Sequence, residues 1–402
     1  MDLIEGDARA ITDNATNKDV TTLGFLSGIG NVTEVASAKS EADDNFRVMR
    51  FICEVIVSFP IAVMGILANG LVFVVLCRQK KRLTTNVLLQ ALAIADTLIL
   101  ISSILLRSMR YVGWQSYNDV YHYIFVSLYP CVYFFRLADT WITVVMTIDR
   151  YIAVCYPLQA QRLCTLRRTY VIIGVILLAT FAFSMPRFFE FELGDDNDFQ
   201  LTKLVKSRSY TLAYRITIFF LVMYLVPMAL LTVLNIRLLH TLRRAYRKRD
   251  TMVSGGSMRS RNREGSHMTS SGRSVTLIVV SIVIVCVLCN VITMLSHVFW
   301  ALHVCFAELR HLESKRRFLA NVSNIMVTFN SAINFVIYCM FSRQFRIYLR
   351  HTMRSKCTEQ GRARDRWRSQ SHRKSSESNN VPYFATPLHE RLSYKSRSVS
   401  DQ

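Results

Sequence analysis

Asp149-Arg150-Tyr151 stands at the end of an apolar run, VVMTIDRYIAVCYPL, so an acid and a base sit side by side where the chain leaves a greasy environment. A pair of this kind at a low-dielectric boundary is a poor stabiliser but a workable latch, because opening it frees a cation for a partner. The competing reading is an arginine that snorkels from a helix end to lipid headgroups. Three more formally charged residues lie inside apolar runs: Asp96, Arg136 and Asp139. Charge in lipid is costly and marks a functional candidate by default. Two nearby carboxylates cannot both stay charged unless a cation compensates. Arg136 and Asp139 are three residues apart and so share a helical face. Either they close as a structural pair, or Arg136 partly neutralises Asp139 and leaves Asp96 as an ion or proton site. The ten cysteines form no His/Cys cluster at metal spacing and no disulfide framework is read from them. No catalytic set, metal site or organic cofactor is expected.

These groups need elements to hold them. The chain has 402 residues, 51% hydrophobic and only 19% charged, which places it in the membrane class. Seven runs are apolar enough to cross lipid: 55–77, 86–106, 120–148, 169–186, 216–236, 274–302 and 318–342. The first spans about 34 Å as a helix. Helices are expected throughout, because lipid leaves no open backbone group satisfied and the runs lack strand alternation. The fold class is therefore all-α, a seven-helix membrane bundle.

The net charge of +21 would suit nucleic acid, but its location argues for a membrane. Segments 78–85, 152–168, 240–274 and 342–402 together carry +23, whereas 1–47, 107–121, 187–210 and 303–317 together carry −3. Lysine and arginine prefer the cytoplasmic side, so the N-terminus lies outside and the tail inside. The start, MDLIEGDARA, is acidic and without an apolar core, so a cleaved signal peptide is not expected. Asn14 and Asn31 head N-x-T sequons on the outer side and are glycosylation candidates. No internal duplication supports an inverted-repeat transporter. The domain reading is an outer tail, 1–47, a membrane body, 48–350, and a basic, Ser-rich inner tail, 351–402.

In chain order come Asn69 in GILANGLV, Asp96 in LAIAD, Asp149-Arg150-Tyr151, Pro157-Leu158 and Pro227. With seven spans, this set resembles the rhodopsin-like G-protein-coupled receptors over residues 50 to 350. AVCYPL, SMPRFFEFEL and NSAINFVIY further resemble the invertebrate FMRFamide-type neuropeptide receptors. The departures are specific. Asn334-Phe335 replaces the usual Asn-Pro, the sixth span lacks the usual Trp and Pro, and the fourth lacks Trp. The usual outer disulfide has no partners, since Phe125 stands at the helix position and 187–210 contains no cysteine. Cys53 and Cys305 are left as a pair that would have to meet at the outer rim.

The resemblance implies a G-protein coupling switch at Asp149, Arg150 and Tyr151. It also implies an intramembrane polar set, Asn69, Asp96, Asp139, Asn330, Ser331 and Asn334, where many relatives hold sodium. Val132 stands where an amine receptor has its acid, and the seventh span has no lysine for retinal. The second outer loop is acidic, with Glu190, Glu192, Asp195, Asp196 and Asp198. Carboxylates suit the guanidinium of an Arg-Phe-amide peptide, and Phe188, Phe189, Tyr111, Trp114, Tyr129 and Phe299 suit its ring. Loop acids that are merely solvated are the plainer alternative. Inside, HTLRRAYRKR and GRSVT extend helices toward a G protein, FSRQFRIYLRHTM reads as an interfacial helix, Cys357 is a palmitoylation candidate, and the tail serines suit receptor kinases and arrestin. The expected partners are thus an extracellular peptide, a heterotrimeric G protein, arrestin, kinases and the plasma membrane, with no nucleic acid. An atypical or decoy receptor, or an ion or proton translocator using Asp96, Arg136 and Asp139, are the alternatives.

Overall fold

Tyr121, Phe125, Tyr129, Tyr133 and Leu137 recur at every fourth residue and are all buried. That spacing puts five large side chains on one helical face, and they form the spine of the main core with Leu106, Phe191, Phe219, Met223 and Tyr224. The helix bearing them is the third of seven in a computed structural model that describes residues 45–79, 83–111, 115–194, 199–254, 263–343 and 345–352. By internal contacts the chain divides into Met1–Tyr348 and Leu349–Gln402. Of the second unit only residues 349–352 are described, and they are helical. Asn14, Asn31, Trp114, Asp195, Asp196, Asp198 and Cys357 lie outside the described residues.

The spans are α1 Asn45–Cys77, α2 Thr84–Ser108, α3 Val120–Cys155, α4 Leu166–Phe189, α5 Arg208–Arg244, α6 Val275–Cys305 and α7, in two halves, Glu313–Ala332 and Asn334–Phe341, inclined by 41°. Six helices are long and apolar enough to cross a membrane, and the bent pair completes seven. The expected bundle is present, with longer helices than the apolar runs alone mark. The seventh starts at Glu313, ahead of the run at 318, because Glu313 pairs with Arg316 at 2.6 Å and Arg317 at 2.8 Å, one turn on.

One irregular turn falls where the sequence obstructs an α-helix. The wide turn Leu221–Leu225 directly precedes Pro227, whose ring and missing N–H disturb the preceding turn. The helix that contains α6 runs from Arg263 to Cys305 without interruption, as its lack of proline allows. The α7 break occurs although Phe335 replaces proline.

Packing follows the lipid. Only Thr169, Ile176, Thr180 and Ser184 of α4 are buried in its helical stretch, while Val171, Val175, Leu178 and Phe181 face outward. Such a surface is unfavourable in water and ordinary in a bilayer, where small and hydroxyl side chains make the helix contacts. At the other end Leu238, Leu242 and Val280 tie α5 to α6. After α7, Phe345 is buried against Tyr338 at 5.5 Å. Arg346 there donates to the Cys339 and Met340 carbonyls, capping the helix end.

Gly65 of α1 allows a close approach of neighbouring helices. A Cβ there would lie 2.7 Å from Leu100 Cδ1 and 2.8 Å from Ala332 Cβ. Gly65→Val is expected to destabilise by at least about 1–3 kcal/mol, since overpacking must push α2 or α7 aside. Thermal unfolding of the solubilised protein tests this; an unchanged midpoint refutes the close contact.

Cys53 and Cys305, the pair left open at the outer rim, are not bonded: both are free. In place of the outer disulfide stands an aromatic contact. Phe125 of α3 meets Phe191 edge-on at 5.1 Å, and Tyr129 meets the same ring at 4.8 Å. Phe191 opens strand β1, Phe191–Leu193, which pairs antiparallel with β2, Phe199–Leu201. The outer loop is thus held to α3 by edge-to-face aromatic contacts, worth about 0.5–1.5 kcal/mol per pair beyond area burial.

Candidate functional site

At the cytoplasmic end of α3, Asp149 is drawn in two directions. Arg150 Nη2 donates to Asp149 Oδ2 at 2.7 Å and its Nε at 3.2 Å. From the first turn of α2, Thr84 Oγ1 donates to Oδ1 at 3.0 Å and Thr85 Oγ1 to Oδ2 at 2.9 Å. The arginine therefore folds onto its neighbour, mostly buried, rather than reaching outward. Tyr151 packs edge-on to Tyr156 at 6.0 Å. Pro157 opens the short helix Pro157–Leu163 that follows, its fixed φ suiting a first helical position. The hydroxyls of Thr84 and Thr85 were not legible as partners from the sequence, because nothing in the local pattern links α2 to residue 149.

Halfway along the bundle, the polar set converges on the α7 break. Asn334 Nδ2 donates to Asp96 Oδ2 at 2.6 Å, and Asn69 Nδ2 donates to the Ser331 carbonyl at 2.8 Å. That carbonyl lies in the last turn before the break, where intrahelical donors run out. Asp96, Asp139, Asn69, Ser331 and Asn334 are buried. Arg136, Asp139, Asn330 and Ser331 line one cavity with Asn290 and Thr293 of α6. Asn69 Oδ1, Asp96 Oδ1 and Asp139 Oδ1 are buried without a hydrogen-bond partner. Three oxygen acceptors lacking donors fit a hard cation or an ordered water. The charge of Arg136 also reaches Asp139. Cys286 and Cys289 stand in C-x-x-C spacing on α6; both are free. Among the described residues no group of three His, Cys, Asp or Glu could hold a metal.

The outer end is organised by Glu190. Its side chain is fully buried, paired with Arg187 at 3.3 Å and Arg215 at 3.5 Å. Tyr210 Oη donates to it at 2.8 Å and Tyr129 Oη at 3.3 Å. Burial pushes the carboxyl above the ordinary glutamate range, against the pull of Arg187 and the three hydrogen bonds. A carboxylate so placed cannot meet a guanidinium from outside without giving up these partners. The other ligand candidates separate. Tyr129 is buried beneath the loop, donating to or accepting from Tyr133 at 3.0 Å. Phe188 is half-buried against Phe181. Phe189 is exposed, Phe299 half-buried and Glu192 exposed on β1. The arginines were missed: Arg187 and Arg215 fall at the edges of apolar runs, where a base reads as a boundary marker.

Arg187 lies 4.0 Å from the Tyr133 ring centre and 4.5 Å from that of Phe219. Arg215 lies 5.3 Å from the centre of the Trp300 ring. With Arg136, both arginines line a cavity among α3, α5, α6 and α7. Arg107, of α2, lines the adjoining cavity with Tyr129, Val132 and Arg136, and donates to Ser103 and to Thr328 of α7.

Comparison with known proteins agrees with this arrangement. The family model for the 7 transmembrane receptor (rhodopsin family) matches residues 68–338. The FMRFamide receptor of Drosophila melanogaster is 30% identical over 322 residues, covering 76% of this chain and 54% of that protein. The FMRFamide peptide receptor frpr-18 of Caenorhabditis elegans is 27% identical, covering 74% and 68%. The thyrotropin-releasing hormone receptor of Bos taurus is 29% identical, covering 71% and 74%. The matched region is thus about half the length of the fruit-fly relative.

Proposed function

The chain belongs to the rhodopsin family of seven-transmembrane receptors, a multi-pass membrane family without enzymatic chemistry, and on that premise we propose that it is a plasma-membrane receptor for an extracellular neuropeptide of the Arg-Phe-amide type, signalling through a heterotrimeric G protein. One observation carries the reading. A closed ionic latch at one end of α3, Asp149 with Arg150, lies on the same helix as a polar cavity at its middle, lined by Tyr133 and Arg136. Relatives named as FMRFamide receptors support the peptide class.

The mechanism is a shift between two arrangements. Peptide binds the active one more tightly, and that difference in affinity moves the equilibrium. In the inactive arrangement Thr84 and Thr85 fix Asp149, and Asp149 fixes Arg150. Releasing Arg150 would offer a cation to the G protein between the inner ends of α3, α5 and α6. The outer tail with its sequons at Asn14 and Asn31, and the inner tail with Cys357 and its serines, complete the reading as sites for glycosylation, palmitoylation, receptor kinases and arrestin.

A panel of amidated peptides, tested on cells expressing the chain, decides the matter. Peptide-driven nucleotide exchange at nanomolar to micromolar concentration is expected; silence across the panel at normal surface level removes the peptide reading.

The unsatisfied oxygens of Asn69, Asp96 and Asp139 support a sodium ion that favours the inactive arrangement. Asp96 and Asp139 would supply its charge balance, and Asn69 a neutral oxygen. Asp96→Asn is expected to abolish the sodium dependence of agonist affinity, about 1–3 kcal/mol of coupling. Equal sodium dependence in both proteins would dispose of the ion.

A further inference from the structure

We infer that the cavity bounded by Tyr133, Arg187, Arg215, Ser296, His297 and Ser323 is an anion subsite, which takes an acidic group of the peptide rather than its arginine. The inference rests on the reading of the chain as a peptide receptor and goes beyond it in naming what the ligand inserts. Two guanidinium groups share one carboxylate at the cavity wall: Arg187 and Arg215 both pair with Glu190. The side chains of both arginines are only 3% exposed, and that of Glu190 is 0% exposed. Within this trio two cations meet one anion in a desolvated place. The Tyr133 and Phe219 faces under Arg187 offset only part of that cost, since a cation over an aromatic ring is a modest interaction.

A second observation points the same way. Arg187 Nε is buried with no acceptor. The guanidinium is a planar fork of five donors that matches a carboxylate or sulfate bidentately. Arg136 lines the same cavity from α3 and adds charge of the same sign. An incoming guanidinium would face this charge at close range in low dielectric, where like charges repel strongly. An incoming carboxylate would complete the site. The peptide's arginine then belongs outside, toward exposed Glu192 on β1, and an acidic side chain or sulfate ester of the peptide belongs within.

The test uses the purified full-length receptor in detergent micelles, with phenylacetate and its uncharged analogue phenylacetamide as millimolar probes. Phenylacetate is expected to raise the unfolding midpoint by a few degrees and phenylacetamide to leave it in place. Arg187→Gln is expected to erase that difference and Arg187→Lys to keep part of it. Should Arg187→Gln fail to fold, the wild-type comparison still decides. Equal shifts from both probes, or none from either, overturn the subsite. In the signalling assay, exchanging an Asp for Asn in an active amidated peptide is expected to lower potency about tenfold; equal potency counts against the subsite alone. A silent peptide panel with discrimination between the probes would sink the peptide reading and leave the anion site standing.

Discussion

Asp149→Asn is expected to raise ligand-independent nucleotide exchange about tenfold. The substitution keeps the shape of the side chain and an oxygen for Thr84 or Thr85, but removes the charge that holds Arg150 at 2.7 Å. Hydrogen bonds to a charged group contribute about 1.5–3 kcal/mol, and a bias of that size corresponds to roughly a tenfold or larger change in the balance between two states. Thr85→Val removes one neutral donor at 2.9 Å and should produce a smaller rise. The measurement is guanine-nucleotide exchange on membranes without peptide, normalised to surface receptor. Basal exchange equal to wild type in both variants would mean that the Asp149–Arg150 pair does not restrain the inactive arrangement.

The other large effect is structural. Glu190→Gln leaves Arg187 and Arg215, both buried, without their shared counter-charge. Breaking a buried pair from one side costs about 3–5 kcal/mol, a large part of the roughly 5–15 kcal/mol that holds a folded domain. The expected result is a severe loss of surface receptor, whereas Glu192→Gln, at an exposed position on β1, should leave the level unchanged. A carboxylate that served only to meet ligand would behave in the opposite way, with normal expression and a raised peptide requirement. Flow cytometry on an outer epitope tag, followed by a dose response at matched levels, separates the two. Normal surface level of Glu190→Gln would refute the assignment of Glu190 as the centre of the outer network.

The two variants mark the limits of local reading. Asp149 and Arg150 are adjacent, so their pairing was open to inference from sequence neighbours, although the threonines that complete it were not. Glu190 gathers Tyr129, Arg187, Tyr210 and Arg215 from α3, the end of α4 and the start of α5. No spacing rule joins those positions. The acidic loop therefore read as a surface for a cation, while its buried member is spent inside the protein.

Other elements divide in the same manner. The absence of a cysteine in 187–210 was plain, but the edge-on contact of Phe125 with Phe191 that replaces the bond required the path of the loop over α3. The missing proline after Asn334 left the seventh hinge undefined. The 41° break is present anyway, with Asn69 donating to a carbonyl before it and Asn334 donating to Asp96 beyond it.

What the sequence by itself determined is the solvent of each segment. The free energy of moving a residue between water and lipid is a property of the residue and its near neighbours, so the apolar runs, their helical form and the asymmetry of Lys and Arg could be summed along the chain. It also placed Asp96, Arg136 and Asp139 within the bilayer, because no helix can avoid carrying its own side chains across. Only the tertiary structure decided which charge answers which. Pairing depends on the rotation and offset of each helix against its neighbours, and those are set by the summed packing of groups far apart in sequence, such as Gly65 against Leu100 and Ala332. The arginine-lined cavity is the clearest product of that second level: its bases come from α3, the end of α4 and α5, and acquire a common role only where the helices meet.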